Sequence, residues 1–149
     1  MKKIFCSILL IAGLSSCIAQ QPNFNFKADH ISLLVKDLEK SANFYEEILG
    51  LEQIYNAGLG ENFKWYQLTD KFQVHLIKTD KDIITDKEIH LAINTTKLDE
   101  LMDYFRAKKV PFENWQGEAN TTNTRPDKIR QIYIQDIDGY WIEINDNKL

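Results

Sequence analysis

Cysteine is almost missing from this chain of 149 residues: the only two, Cys6 and Cys17, lie near the N-terminus. The remainder has no disulfide framework and no cysteine nucleophile, so its fold must stand on packing or on a metal. Positive charge is also scarce. Setting aside residues 1–16, with Lys2 and Lys3, leaves 16 basic against 22 acidic residues, a formal charge of −6. That argues against nucleic acid, whose phosphates demand a basic surface. The one long apolar run, Ile4–Leu14, is too short to span a bilayer comfortably. No glycine-rich phosphate cradle and no Ser-His-Asp order is present.

What is there has the composition of one ordinary globular domain, 44% hydrophobic and 27% charged. Lys2 and Lys3 precede the apolar run, and Leu14-Ser15-Ser16-Cys17 and Ile18-Ala19 follow it, the layout of a bacterial secretory signal. LSSC is similar to a lipoprotein box, with cleavage before Cys17 and lipidation of its thiol. Cleavage after Ala19 by a simple signal peptidase is the alternative. The expected organisation is a signal over 1–16, a polar tether over 17–27 and an exported domain over 28–149. That domain would face the periplasm or outward from a membrane, held there only by a lipid anchor.

From Ala28 onward a pattern occurs twice. Residues 28–36 read as a strand with Ile31, Leu33 and Val35 on one face, and Asp37 caps a helix Leu38–Leu49 that Gly50 ends. Strands follow at about 51–57, 63–69 and 72–79. Then 88–95 is a strand, Lys97–Lys109 a helix and Pro111–Trp115 the start of another strand. A polar loop, Gly117–Lys128, leads to a closing hairpin over Arg130–Asp146 with its turn at Asp136-Ile137-Asp138-Gly139. A shift of 60 residues lays His30 on His90, Leu38 on Leu98, and Phe44-Tyr45 on Tyr104-Phe105. The repeat is a β-α-β-β-β unit, spanning 28–80 and then 87–147. Each unit covers one sheet face with a helix and leaves the other bare, so two can close their bare faces around a cavity.

Alternation places all three histidines on those bare faces. His30 opposes Ile31, Leu33 and Val35; His75 opposes Val74 and Leu76; His90 opposes Ile89, Leu91 and Ile93. Glu143 opposes Ile142 and Ile144. Each is on the first or last strand of its unit. One strand histidine is ordinarily a surface residue, but four ligand-type residues in symmetric positions point to a metal. Imidazoles with a carboxylate suit Zn, Fe, Mn, Ni or Co, and a site with open positions suits catalysis. Three neutral imidazoles and one carboxylate on a divalent ion leave a charge of +1, able to stabilise an enediolate or hold a chelating oxygen pair. Gln131, Tyr133 and Trp141 share the same face and could line a pocket. For Trp65 and Tyr66 the pattern does not choose which faces in. Arg125, in the polar loop, could recognise an anionic substrate.

The stretches DHISLLVKDLEKSANFYEEILGLE, IHLAINT and IYIQDIDGYWIEIND resemble the vicinal-oxygen-chelate superfamily of glyoxalase I, bleomycin-binding, fosfomycin-resistance and extradiol dioxygenase proteins. The resemblance covers Ala28 to Asn147, and the hairpin written here as DIDG is among its most specific marks. It implies an α+β fold: two βαβββ modules forming a cupped mixed sheet around one divalent metal, helices outside. His30, His75, His90 and Glu143 fall on the ligand positions of glyoxalase-like members. His75 departs from bacterial glyoxalase I, which has a carboxylate there; Glu143 is then the one ligand that could double as base.

The function this implies is a glyoxalase-like metal enzyme, an isomerase or lyase moving a proton beside a carbonyl on a small chelating substrate. Two alternatives stay open: an Fe(II) extradiol-type dioxygenase and a non-catalytic small-molecule-binding or resistance protein. Whether the ligands meet in one chain or across a homodimer is open as well.

Overall fold

A computed structural model describes residues 24–148. The expected signal over 1–16 and the lipidation site Cys17 lie outside the described residues. Of the tether only residues 24–27 are described; they form no element, and Phe24 and Phe26 are exposed. Among the described residues no helix is long and apolar enough to cross a membrane.

The first module is β1 (His30–Val35), α1 (Leu38–Asn43), β2 (Glu52–Ile54), β3 (Phe63–Thr69) and β4 (Phe72–Lys78). Asp37 caps α1 by accepting from the backbone N–H of Lys40. The helix runs on through a π-helical turn, Phe44–Ile48, so the apolar face of Leu38, Ala42 and Tyr45 continues past the α-helical hydrogen bonds. Gly50, at φ +68°, turns the chain out of it. The sheet order is β1-β4-β3-β2, with β1 parallel to β4 and the remaining pairs antiparallel.

The second module repeats this topology. It consists of β5 (His90–Asn94), α2 (Leu98–Lys108), β6 (Asn123–Thr124), β7 (Arg130–Gln135) and β8 (Trp141–Asn145), in the order β5-β8-β7-β6 with β5 parallel to β8. The two βαβββ modules of an α+β fold are thus present, as two four-stranded mixed sheets. One expected strand is not. Pro111–Trp115 contributes only bridges of Glu113 to Tyr133 and Ala119. Proline offers no N–H to a ladder. Just beyond, Asn114 and Glu118 close a turn on themselves, Asn114 Nδ2 donating to Glu118 Oε2 at 2.7 Å and the Glu118 N–H to Asn114 Oδ1 at 2.9 Å. The second strand of this module is the two-residue β6, inside the stretch read as loop.

The apolar faces of both sheets share one core. Leu33, Val35, Tyr66, Val74 and Leu76 of the first join Ile132, Ile134, Ile142 and Ile144 of the second, with Tyr45 and Phe105 from the helical layer. The DIDG turn locks the modules together. Asp136, buried, takes the Tyr45 hydroxyl at 2.8 Å; Asp138 takes the Ser41 hydroxyl at 2.6 Å and the Lys36 N–H at 2.8 Å. The Tyr140 hydroxyl accepts from the N–H of Leu34 on β1, at 3.2 Å. Burial raises the Asp136 carboxyl above its ordinary pKa, against the lowering effect of the Tyr45 bond. Since the joint core takes the apolar face of each sheet, the polar face carrying the candidate ligands lies on its other side.

Candidate metal centre

The candidate ligands stand as two pairs, one on each sheet. On the first sheet, His75 of β4 is in register with Trp65 of β3 and Ser32 of β1. Its ring is sandwiched: Trp65 lies at 3.9 Å between centroids and 3° from parallel, His30 at 4.2 Å and 14°. Trp65 therefore faces the ligand side, while Tyr66 enters the core and donates its hydroxyl to Glu46 at 2.7 Å. Asp29 Oδ2, 2.6 Å from His30 Nδ1, accepts a hydrogen bond from it, so in the neutral ring the lone pair lies on His30 Nε2. His75 Nε2 lies 2.8 Å from Gln73 Oε1, a bond that needs the proton on Nε2 and frees Nδ1. Burial, and then neighbouring His30, hold the His75 pKa below its usual value, so its ring is neutral at pH 7.

On the second sheet the hairpin positions Glu143. Its register partners are Tyr133 on β7 and Ala92 on β5, and His90 is in register with Trp141. Glu143 is 5% exposed, buried on the face opposite Ile142 and Ile144. Three donors hold it there: Tyr133 O–H to Oε2 at 2.6 Å, Asn145 Nδ2 to Oε1 at 2.7 Å and Arg125 Nη1 to Oε1 at 3.4 Å. Burial and the carboxylate together push the Tyr133 phenol well above its usual pKa, so it stays a donor. Arg125 pairs mainly with Asp127.

His90 completes this pair. Its Nδ1 lies 2.7 Å from the main-chain carbonyl of Lys87, which can only accept, so Nδ1 carries the proton. The other nitrogen, Nε2, lies 3.3 Å from Glu143 Oε2. In the neutral ring both of those atoms present lone pairs. Only a proton or a metal cation between them makes the approach favourable, and an imidazole nitrogen with a carboxylate oxygen is a fitting donor set for a divalent ion. The carbonyl that fixes the other nitrogen is the usual outer support of a histidine ligand.

Two further residues matter. Gln131, also expected on this face, is 5% exposed, and its Oε1 has no hydrogen-bond partner among the described residues. It is in register with Asn145, next to the Glu143 carboxylate. Lys87, by contrast, drew no attention in the sequence, because a charged residue in a linker carries no pattern. The two pairs do not join: among the described residues no three His, Cys, Asp or Glu side chains gather where one metal could be held. A cavity of about 700 Å³ opens beside the β5 edge, lined by Leu49, Leu51, Leu91, Ile93 and Asn145, but none of the four candidate ligands lines it.

The family description that matches the chain is the Glyoxalase/Bleomycin resistance protein/Dioxygenase superfamily, over residues 27–144. Among curated proteins, YwbC of Bacillus subtilis (strain 168), itself described as uncharacterized, is 27% identical over 124 residues, 78% of this chain and 94% of YwbC. Two solved structures share the fold. Oxidase ChaP-H2 superposes with a TM-score of 0.68 at 19% identity, over 83% of this chain and 95% of that one. The lactoylglutathione lyase of Agrobacterium tumefaciens gives 0.63 at 18% identity, over 81% and 93%.

Proposed function

From the premise that this chain belongs to the Glyoxalase/Bleomycin resistance protein/Dioxygenase superfamily, we propose that it is a glyoxalase-like enzyme dependent on one divalent metal. It acts as an isomerase or lyase on a small oxygenated substrate. The observation that carries the reading is the approach of His90 Nε2 to Glu143 Oε2, with the proton of His90 committed to the Lys87 carbonyl. A divalent ion held by His30, His75, His90 and Glu143 would polarise the substrate's oxygens.

The two pairs meet, in this reading, across a pair of chains. β1 and β5 are the terminal strands of their sheets, and each bears the first histidine of its pair. Ile89, beside His90, is 80% exposed, an apolar residue that neighbours cover when β5 of one copy lies along β1 of another. That juxtaposition sets His30 and His75 of one copy against His90 and Glu143 of the other.

Glu143 is the base. Its Oε2 takes a proton from the carbon beside a carbonyl, the C–H electron pair moves toward the carbonyl oxygen, and the same carboxyl returns the proton to the neighbouring carbon. Tyr133 and Asn145 keep the carboxylate in one orientation throughout. Gln131 Oε1, which has no hydrogen-bond partner among the described residues, would accept a hydroxyl of the substrate, Arg125, 3.4 Å from Glu143, would meet an anionic group, and Trp141, in register with His90, would line the wall.

The test is the metal content of the purified protein beside Glu143→Gln and His30→Ala. Wild type is expected to hold stoichiometric metal and each variant to lose affinity by more than the ~10–100-fold that outer supports account for. A wild type without metal, or variants that hold as much, would overturn the reading. A second reading, oxygen chemistry at Fe(II), is favoured by there being one carboxylate among the four ligands and by the fold shared with an oxidase. Oxygen uptake with catechols, against isomerisation of a hemithioacetal, separates the two.

A further inference from the structure

The linker between the modules has its polarity reversed. Ile84 and Ile89 are 93% and 80% exposed. Lys87 between them turns inward, its side chain only 17% exposed. Its ammonium spends all three hydrogens, on Glu113 Oε1 at 2.7 Å, the carbonyl of Asn114 at 2.7 Å and the carbonyl of Trp115 at 3.2 Å. Three rings surround it: Tyr133 and Trp141 with centroids at 4.7 Å, Trp115 at 5.8 Å. Hydrophobic burial would have chosen either isoleucine for this place. A lysine so placed fixes where its own backbone goes.

That backbone matters because the carbonyl of Lys87 accepts from His90 Nδ1. A neutral imidazole has one ring proton and His90 has two acceptors for it, Lys87 O at 2.7 Å and Glu143 Oε2 at 3.3 Å. If the carbonyl drifts, the proton goes to Nε2 and binds Glu143, blocking the lone pair a metal needs. We propose that Lys87 is the positioning residue of the site: its caged ammonium holds the linker carbonyl that sets the tautomer of His90. The same ammonium packs on Tyr133, whose hydroxyl orients Glu143, so both residues of the pair depend on one anchor.

The inference rests on the proposed metal role of His90, but its main readout does not need metal. Imidazole ¹⁵N shifts of the metal-free full chain, near pH 8 where a histidine is neutral, report the tautomer of His90, with His30 on the other sheet as internal control. Wild type is expected to show the proton on Nδ1. In Lys87→Met, which keeps an apolar stem in the cage, the Nε2–H form becomes the major species, His30 is unchanged and metal affinity drops ~10–100-fold. Glu113→Gln, which loosens the clamp from the other side, shifts the same balance in the same direction, and Lys87→Arg restores most of the wild-type signal. An unshifted His90 in Lys87→Met with affinity within twofold of wild type would overturn the proposal, as would changes that appear equally at His30. Should Lys87→Met not fold, Glu113→Gln decides by the same readout. A wild type that binds no metal while the tautomer still answers to Lys87 would remove the enzyme reading and leave this one standing.

Discussion

Replacing Asp138 by alanine tests the lock between the modules. The carboxylate receives the Ser41 hydroxyl at 2.6 Å and the Lys36 N–H at 2.8 Å. Ser41 is fully buried, yet its single hydroxyl proton has a second acceptor, the Asp37 carbonyl at 3.0 Å. The variant therefore exchanges a charge-assisted bond of about 1.5–3 kcal/mol for a neutral one of about 0.5–1.5, a loss of ~1–2 kcal/mol. Lys36 is exposed, so water replaces part of its lost bond, at a further cost of about 1 kcal/mol. The expected destabilisation is ~2–3 kcal/mol, which for a domain of this size lowers Tm by roughly 6–15 °C. Urea unfolding followed by circular dichroism should show the midpoint falling at constant slope. A double-mutant cycle with Ser41→Ala isolates the pair and should return a coupling of ~1–2 kcal/mol. Coupling below ~0.5 kcal/mol, or a Tm within a degree or two of wild type, would mean that the turn does not hold the modules together.

Asp136 gives a pH signature. Burial raises its folded pKa above the unfolded value, so the unfolded chain loses this proton first as pH rises. The stability it contributes is complete below the unfolded pKa and is lost as pH climbs through the folded one. Asn at this position removes that slope. Wild type is thus expected to lose stability relative to Asp136→Asn as pH rises above the ordinary carboxylate value of about 4; a difference independent of pH in urea titrations would contradict the assignment. Gly139 has φ +90°, and a Cβ there would lie 3.3 Å from Thr85 Oγ1. Gly139→Ala is expected to cost ~1–2 kcal/mol for the backbone alone, read from the urea midpoint, with Thr85→Ala recovering only the contact; an unchanged midpoint would refute the strain.

Much of this arrangement is legible in the residues. Period-two alternation in IEI and HLA puts Glu143 and His90 on the face away from the isoleucines, because successive side chains of a strand must diverge. Asp37 and Gly50 bound the first helical segment because each answers a local backbone need that no tertiary contact overrides. Three features resist that kind of reading. Alternation orients a side chain relative to its own sheet and says nothing about which sheet it will meet, so the ligands fall in two pairs. Pro111–Trp115 has strand-like residues, but the Asn114–Glu118 side-chain pair competes for the backbone and leaves only the Glu113 bridges. Lys87 sits in a linker, where its partners come from 26 to 54 residues away and no local spacing announces them.

The central claim is that one metal site is assembled from two copies. It is tested by mixing His30→Ala with Glu143→Gln, each loaded alone and then combined under conditions that let subunits exchange. Each variant alone has every shared site damaged. In a mixed dimer one of the two sites carries both mutations and the other carries none, so half of the mixed dimer's sites regain tight metal binding. At random exchange of equal amounts, half of all dimers are mixed, and about one site in four is expected to recover. No recovery on mixing, from two variants that fold and exchange, would place all four ligands within one chain or remove the metal site altogether.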